Sequence, residues 1–147
     1  MTGSADFALV RDATQAEEVM IQNRPFDAWR FANFTSSELG IPSISAENSD
    51  PDGDSLQNLA EYALGLDPRN PTLSTVSTSQ ADGYLTHSAT ENSGATDIVW
   101  NAEVTADLLS WQAAVIVTNS PTVFVARDTV PATTAPRRFI RLTITRP

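Results

Sequence analysis

The sequence predicts a mainly β protein with a small helical part, in which N-terminal helices and an acidic loop with its own helix precede an antiparallel, Ig-like β-sandwich. Apolar residues recur at helical spacing only in the first half of the chain. From Thr72 onward they alternate with polar residues, and the runs are rich in β-branched residues, as in half-buried strands. We therefore expect a helical segment over residues 1–70 and a β-sandwich domain over residues 71–147.

The helical segment is expected to contain several short elements. Phe7–Val10 can form a short strand, and a pattern similar to a capping box then begins a helix over Ala13–Gln22. Pro25 opens a second helix, and Thr35–Leu39 continue as a turn or a third helical piece. The aromatic residues of this part are expected in the core: Phe26, Trp29, Phe31 and Phe34.

A last helix follows the acidic loop. Its apolar residues have the spacing of one buried helical face: Leu56, Leu59, Ala60, Ala63 and Leu64. Gly65 provides a left-handed end, and Pro68 prevents the helix from continuing. Residues 40–45, before the loop, show no helical pattern, so a loop followed by one helix is expected.

Six short strands are expected in the second half of the chain. Turn signals such as Asp82-Gly83 and Asn119-Ser120-Pro121 separate the runs. Ile98, Trp100 and Val104 alternate with polar residues, so one face is buried and the other is solvated. Short strands at this spacing indicate a sandwich. The expected ranges are 74–79, 83–90, 96–104, 111–118, 122–128 and 137–145.

The acidic loop has the ligand spacing of a calcium site. Aspartates stand at its first, third and fifth positions, and a glutamate closes it at the twelfth. Ca²⁺ takes roughly six to eight oxygen ligands, which alternating carboxylates, a mid-loop carbonyl and a bidentate terminal glutamate supply. The predicted ligands are the side chains of Asp50, Asp52, Asp54, Asn58 and Glu61 and the carbonyl of Leu56.

The loop departs from the usual pattern at one position. Position 6 is normally Gly, which permits a sharp turn, but here it is Ser55, and Gly53 is expected to take part of the bend. The alternative to a metal site is a solvated acidic turn before a helix. Residues 50–67 contain no basic residue, so without a cation the clustered carboxylates would repel one another. A calcium sensor is not expected, because a sensor needs a pair of helices that opens.

Composition excludes several classes of function. The chain has no Cys and no Lys, which excludes disulfides, thiol nucleophiles, cysteine zinc sites and lysine Schiff bases. Residues 1–70 carry twelve acidic and four basic residues, which argues against nucleic acid and anionic membranes as partners. No apolar run is long enough for a membrane span. Low charge, frequent Ser and Thr and a calcium loop favour an extracellular or cell-surface location.

Few other residues point to chemistry. His87 is the single histidine and lies in no triad motif, and no phosphate loop is present, so no enzyme activity is expected. Trp100, Trp111 and Tyr84 can form a face that stacks on a sugar. Because Trp100 belongs to the alternating apolar positions of its strand, a place in the core is favoured for it. Five C-terminal arginines are either solvated or associate head to tail with the acidic half of another copy: Arg127, Arg137, Arg138, Arg141 and Arg146.

The order of motifs resembles a known group of modules. The loop is similar to the single calcium loops of dockerins and thrombospondin type 3 repeats. Over residues 25–147 the chain resembles the C-terminal modules of secreted and surface proteins from verrucomicrobial and planctomycete-type bacteria. The motifs that carry this resemblance are Phe26-x-x-Trp29, Asn33-Phe34-Thr35, the acidic loop, Glu61-Tyr62-Ala63-Leu64-Gly65-Leu66-Asp67-Pro68, Asp107-Leu108-Leu109-Ser110-Trp111, Arg127-Asp128-Thr129 and Arg137-Arg138-Phe139-Ile140-Arg141-Leu142. The resemblance implies a non-catalytic tail of a parent surface protein.

Three functions are compatible with these observations. The first is a non-enzymatic, calcium-stabilised extracellular module with a structural or attachment role. The second is a self-assembling surface or filament subunit, in which Phe7–Val10 or the terminal strand pairs with an open sheet edge of an identical subunit. The third is a carbohydrate-binding module that holds polysaccharide through Trp111.

Overall fold

The computed structural model describes residues 25–72, 76–135 and 137–147. The expected strand Phe7–Val10 and the expected helix Ala13–Gln22 lie outside the described residues. Gly65 ends the last helix in the left-handed conformation, as expected, at φ 72°. None of the described helices is long and apolar enough to span a membrane. These helices are α1 (Pro25–Asn33), α2 (Ser36–Leu39), α3 (Pro42–Ser45) and α4 (Asn58–Leu64).

The described strands form two antiparallel sheets. The first sheet has the order β1-β2-β6-β5, and the second has the order β4-β3-β7. The predicted mainly β fold, a small β-sandwich with a few short helices, is confirmed. The strands are β1 (Ser77–Ala81), β2 (Tyr84–Thr90), β3 (Val99–Thr105), β4 (Gln112–Ala113), β5 (Val115–Ser120), β6 (Val123–Pro131) and β7 (Phe139–Thr145).

The core lies between the two sheets and extends beneath α4. Trp100 of β3 stacks on Phe124 of β6 with ring centroids 5.5 Å apart, and both side chains are buried. Alternation along the strands brings small apolar residues to the same layer. Ala63 and Leu64 of α4 belong to this cluster. Burial of this apolar surface therefore fixes the helix that follows the acidic loop.

The run 111–118, expected as one strand, is divided between the two sheets. β4 pairs with β3, and β5 pairs with β6. Between them, the N–H of Ala114 donates to the carbonyl of Ala102, and Ala114 packs against the core. The chain thus changes sheets at Ala114, which the unbroken apolar run over residues 113–117 does not reveal.

Two expectations for the helical segment are wrong. Residues 40–45 contain the one-turn helix α3, because Pro42 at its start fixes a helical φ that the apolar spacing does not signal. Phe31, expected in the core, is 56 % exposed, whereas Phe26 and Phe34 are buried. Five residues correspond to about 140° around a helix, so Phe31 points away from the face that carries Phe26.

An aromatic cluster joins α1 to α4 and to the end of β7. The rings of Phe26 and Trp29 lie 5.2 and 5.7 Å from the ring of Tyr62. The Tyr62 hydroxyl donates to Asp97 at 2.6 Å. Arg146, which directly follows β7, stacks on Phe26 at 4.8 Å. These contacts hold α1 beside both the acidic loop's helix and the C-terminal end of β7.

Candidate metal centre

The acidic loop, Asp50–Glu61, is bent by two residues with left-handed backbone conformation. Gly53 has φ 79° and Ser55 has φ 78°. Asp50 holds this bend, because its two carboxylate oxygens accept the N–H groups of Gly53 and Ser55 at 2.8 and 2.9 Å. Ser55 therefore takes the conformation that glycine normally supplies at position 6 of calcium loops.

The three aspartates form a cluster. Asp50, Asp52 and Asp54 each offer a carboxylate oxygen, and these oxygens lie within 4.8 Å of one another. The N–H groups of Leu56 and Thr72 donate to the two oxygens of Asp54 at 2.8 and 2.9 Å. Oδ2 of Asp52 is buried and has no hydrogen-bond partner among the described residues. The cluster thus contains an oxygen that the described part of the protein leaves without a donor.

Two hydrogen bonds hold the side-chain amide of Asn58 and leave its oxygen without a partner among the described residues. Its Nδ2 donates to the carbonyls of Ile44 and Ala46, both at 2.8 Å, which anchors α4 to the segment before the loop. Asn58 is fully buried, and its Oδ1 has no hydrogen-bond partner among the described residues. Both N–H donors of the amide are used, so a rotation that exchanged its nitrogen and oxygen would break these two hydrogen bonds. Oδ1 therefore keeps its position and is available as a metal ligand.

Glu61 is the most unusual residue of the loop. Its side chain is 0 % exposed, and neither carboxylate oxygen has a hydrogen-bond partner within the described ranges. A buried carboxylate without partners is strongly unfavourable, so such groups are normally paired or bound to a metal. Glu61 does not belong to the tight group of three aspartates. Their negative charges nevertheless reach it, as its pKa shows.

Burial, together with the negative charges of Asp52, Asp54 and Asp50, raises the pKa of Glu61 from 4.5 to about 7. Burial also raises the pKa of Asp52. The pKa of Asp50 is lowered although burial opposes this, because the N–H groups of Ser55 and Gly53 bond to its carboxylate. The carboxylates of Asp50, Asp52 and Asp54 thus lie together, and their negative charges act on the buried carboxylate of Glu61.

These residues fit a hard cation. The donor set consists only of oxygens, namely carboxylates, one amide oxygen and the carbonyl of Leu56, which suits Ca²⁺, Mg²⁺ or Mn²⁺ rather than zinc or copper. Four of its oxygens are buried without partners among the described residues: Oδ2 of Asp52, Oδ1 of Asn58, and Oε1 and Oε2 of Glu61. The carboxylates of Asp50, Asp52 and Asp54, the predicted first, third and fifth ligands, lie together. Asn58 and Glu61, the predicted ninth and twelfth ligands, have oxygens without a hydrogen-bond partner among the described residues.

The ionisation of Glu61 predicts a pH dependence that calcium reverses. In chelator, the folded protein binds the Glu61 proton more tightly than the unfolded chain, whose carboxyl has the ordinary value of 4.5. The free energy of unfolding is therefore expected to fall as pH rises from about 4.5 to about 7. Melting temperatures measured across this range in chelator check the slope. In millimolar calcium the decline is expected to disappear, and the same decline in both buffers would contradict it.

The aromatic residues proposed for sugar binding do not form one face. Trp100 is buried in the core, as its alternation predicts. Trp111 is half-buried, and the Arg141 guanidinium lies 3.9 Å from its ring centroid. Tyr84 lies in the other sheet, with Arg127 at 4.5 Å from its ring. A stacking platform of several rings is therefore absent from the described residues.

Most of the C-terminal arginines have partners within the chain. Arg141 pairs with Glu103, and Arg146 lies beside Glu47 and Asp97. Arg138 forms two hydrogen bonds, both 2.6 Å, with the fully buried Asp128. The sequence pattern did not reveal this last pair, since it joins β6 to the segment before β7. The positive charges are thus largely compensated, which weakens the head-to-tail alternative.

Comparisons with protein-family models, with curated proteins and with solved structures found no match. The resemblance to bacterial surface modules is tested by none of these comparisons and stays a prediction. The metal-site assignment is based on the loop's residues and their geometry alone.

Proposed function

We propose that this chain is a non-enzymatic, calcium-stabilised module of a secreted or cell-surface protein, in which one Ca²⁺ bound by the acidic loop stabilises the fold. The ligands are the carboxylates of Asp50, Asp52, Asp54 and Glu61, the carbonyl of Leu56 and, directly or through water, Asn58. The role of the module is structural or adhesive within its parent protein.

One observation carries this proposal. Glu61 is fully buried at the twelfth position of the loop, and both of its oxygens have no hydrogen-bond partner among the described residues. A solvated acidic turn does not require a glutamate there, and it would not leave a carboxylate in this state. A bidentate ligand at the twelfth position explains both its burial and its free oxygens.

The position of the loop supports a stabilising role. Glu61 is followed in α4 by Tyr62, whose ring packs on α1, and by Ala63 and Leu64 of the sandwich core. Asp54 also accepts the N–H of Thr72, at the start of the connection to the strands. A cation that neutralises the loop therefore acts on the segment that joins the helices to the sheets.

Calcium is favoured over magnesium by the donor set. Mg²⁺ demands near-ideal octahedral geometry and usually keeps several waters, whereas Ca²⁺ accepts a flexible set of roughly six to eight protein oxygens. Calcium loops of extracellular modules are commonly weak enough to need about 0.1–1 mM calcium. The proposed location outside the cell supplies calcium in that range.

Isothermal titration calorimetry of the full chain tests the proposal. We expect one Ca²⁺ per chain, with weaker binding of Mg²⁺, and a loss of affinity of at least about tenfold in Glu61→Gln, because one bidentate ligand is removed. Glu103→Gln is the matched control, since Glu103 pairs with Arg141 on the sandwich and its replacement should leave the affinity unchanged. Absence of calcium binding, or equal binding by Glu61→Gln, would overturn the proposal.

A further inference from the structure

The stretch 36–49, which contains α2 and α3, has no buried apolar side chain. The structure describes all of it, and its two buried residues are serines, Ser45 and Ser49. None of its residues belongs to the core cluster between the sheets. Segments with few buried apolar contacts open locally at a low cost in free energy. This stretch therefore depends on its hydrogen bonds and ion pairs to stay in place.

The first turn of α4 donates hydrogen bonds to the end of this stretch. The side-chain amide of Asn58 donates two of them, both at 2.8 Å. The backbone N–H groups of Asn58 and Leu59 donate two more, at 2.8 and 3.0 Å. The acceptors are the backbone carbonyls of Ile44, Ala46, Glu47 and Ser49. The position of the stretch is thus tied to the conformation of one helical turn.

Other connections of the stretch are weaker or come from α1. Nε and Nη2 of Arg30 in α1 donate to the carbonyl and the hydroxyl of Ser45 at 2.7 and 2.9 Å. Two ion pairs with partly exposed side chains join it to later parts of the chain, and such pairs contribute little to stability. They are Arg69 with Glu38 and Arg146 with Glu47. The buried amide of Asn58 is therefore an important part of the attachment.

The same turn of α4 contains two of the candidate metal ligands. Oδ1 of Asn58 and both carboxylate oxygens of Glu61 are buried and have no hydrogen-bond partner among the described residues. Without a cation this burial is unfavourable, and the oxygens regain water only if the turn opens. Because Asn58 lies in that turn, its opening also removes the donors from the carbonyls of Ile44 and Ala46.

The second half of α4 is anchored independently of the loop. The Tyr62 hydroxyl donates to Asp97, and Leu64 belongs to the core of the sandwich. Asn92 donates through its side chain to the carbonyl of Tyr62 at 2.9 Å and through its backbone to the carbonyl of Ala63 at 2.8 Å. Opening of the first turn therefore leaves the rest of the helix and the sheets in place.

We propose that calcium binding in the acidic loop controls the order of the stretch 36–49, and that Asn58 is the positioning residue that couples the two. This inference rests on the proposed calcium site. Oδ1 of Asn58 is fixed by the ion, directly or through water, while Nδ2 holds the carbonyls of Ile44 and Ala46. At low calcium the first turn of α4 and the stretch open together. The surface formed by α2 and α3 is then complete only where calcium is plentiful.

Amide hydrogen exchange of the full chain, followed by NMR, tests the proposal. In chelator we expect the hydrogen-bonded amides of residues 44–49 and 58–61 to exchange at least about a hundredfold faster than those of β3 and β6, because their opening is local. At free calcium about ten times the dissociation constant, their exchange is expected to slow by about tenfold, because opening releases the ion. Exchange as slow as in the strands without calcium, or exchange of residues 44–49 that calcium does not change, would overturn the proposal.

Calorimetric titration of the same sample separates this proposal from the calcium site itself. If one Ca²⁺ binds and the exchange of residues 44–49 does not respond, the site is correct and the coupling is wrong. If no calcium binds, the site and the coupling are both wrong.

Asn58→Ala tests the coupling residue. Its affinity for calcium is expected to be lower, so exchange is measured at about ten times its own dissociation constant, where slowing in residues 44–49 should fall below about threefold. Asn33→Ala is the matched control, because Asn33 donates to the carbonyl of Trp29 within α1, and the full slowing is expected. Full slowing in Asn58→Ala would contradict the role of Asn58. The wild-type comparison decides the proposal by itself if this variant does not fold.

Discussion

Asp52→Ala is expected to lower the melting temperature of the protein in millimolar calcium but not in chelator. Asp52 has a buried oxygen without a partner among the described residues, and its carboxylate lies within 4.8 Å of the other two aspartates. If calcium binds with a dissociation constant near 1 µM, about 1 mM calcium stabilises the fold by roughly 4 kcal/mol, and most of this is lost with the ligand. If the dissociation constant is instead about 0.1–1 mM, the same calcium concentration stabilises the fold by only about 0.4–1.4 kcal/mol.

The control for this experiment is Asp82→Asn. Asp82 is exposed in the β1–β2 turn and has φ 52°, a conformation that Asn also tolerates. The melting temperature of the Asp82→Asn variant should therefore match that of the wild type in both buffers. In chelator, Asp52→Ala removes a like charge from the cluster and is expected to be neutral or slightly stabilising. Equal losses of melting temperature in calcium and in chelator would show that Asp52 stabilises the loop without a metal.

Asp128→Ala is expected to destabilise the sandwich by about 3–5 kcal/mol, independently of calcium, because it leaves the Arg138 charge without its partner. Asp128 is 0 % exposed, and its two oxygens accept hydrogen bonds from Nε and an Nη of Arg138 at 2.6 Å. The N–H of Val130 donates to the same carboxylate at 3.0 Å. Urea unfolding of the variant measures the loss.

Glu103→Ala is the matched control for the buried pair. Glu103 bonds to Arg141 on an exposed part of the sheet, where an ion pair contributes only about 0–1 kcal/mol. A similar loss of unfolding free energy in Asp128→Ala and Glu103→Ala would show that the buried ion pair stabilises the fold no more than the exposed one.

The same pair also predicts an acid dependence. Burial opposes ionisation of Asp128, but the hydrogen bonds from Arg138 and Val130 outweigh it and hold the pKa of Asp128 below its ordinary value of 3.8. The contribution of Asp128 to the free energy of unfolding is therefore fully present at pH values above its pKa in the unfolded chain. This contribution is lost as the pH falls through the lower pKa of the folded protein.

The sequence predicted the elements that depend on local chemistry. The positions of Pro25, Gly65 and the Asp82-Gly83 turn follow from backbone preferences, and the structure has a helix start, a helix end and a turn there. The alternation around Trp100 predicted which face of β3 is buried, because side chains along a strand point alternately toward the facing sheet and toward solvent.

The elements that depend on distant contacts could not be predicted in this way. Ala114 lies in an unbroken apolar run over residues 113–117, and only the two neighbouring sheets determine that the strand divides there. The partner of Arg138 lies ten residues earlier, in β6, whereas Arg138 itself precedes β7 of the other sheet. In the acidic loop, the spacing of carboxylates identified the candidate ligands, but the burial of Glu61 and the anchoring of Asn58 result from packing against other segments.

A crystal structure determined with anomalous diffraction, from crystals grown in millimolar calcium, tests the metal centre most directly. An anomalous peak is expected at roughly 2.3–2.6 Å from oxygens of Asp50, Asp52, Asp54 and Glu61, with both oxygens of Glu61 as ligands. A loop without such a peak, in which the Glu61 carboxylate is hydrogen-bonded to the protein or to water, would contradict the presence of a calcium site.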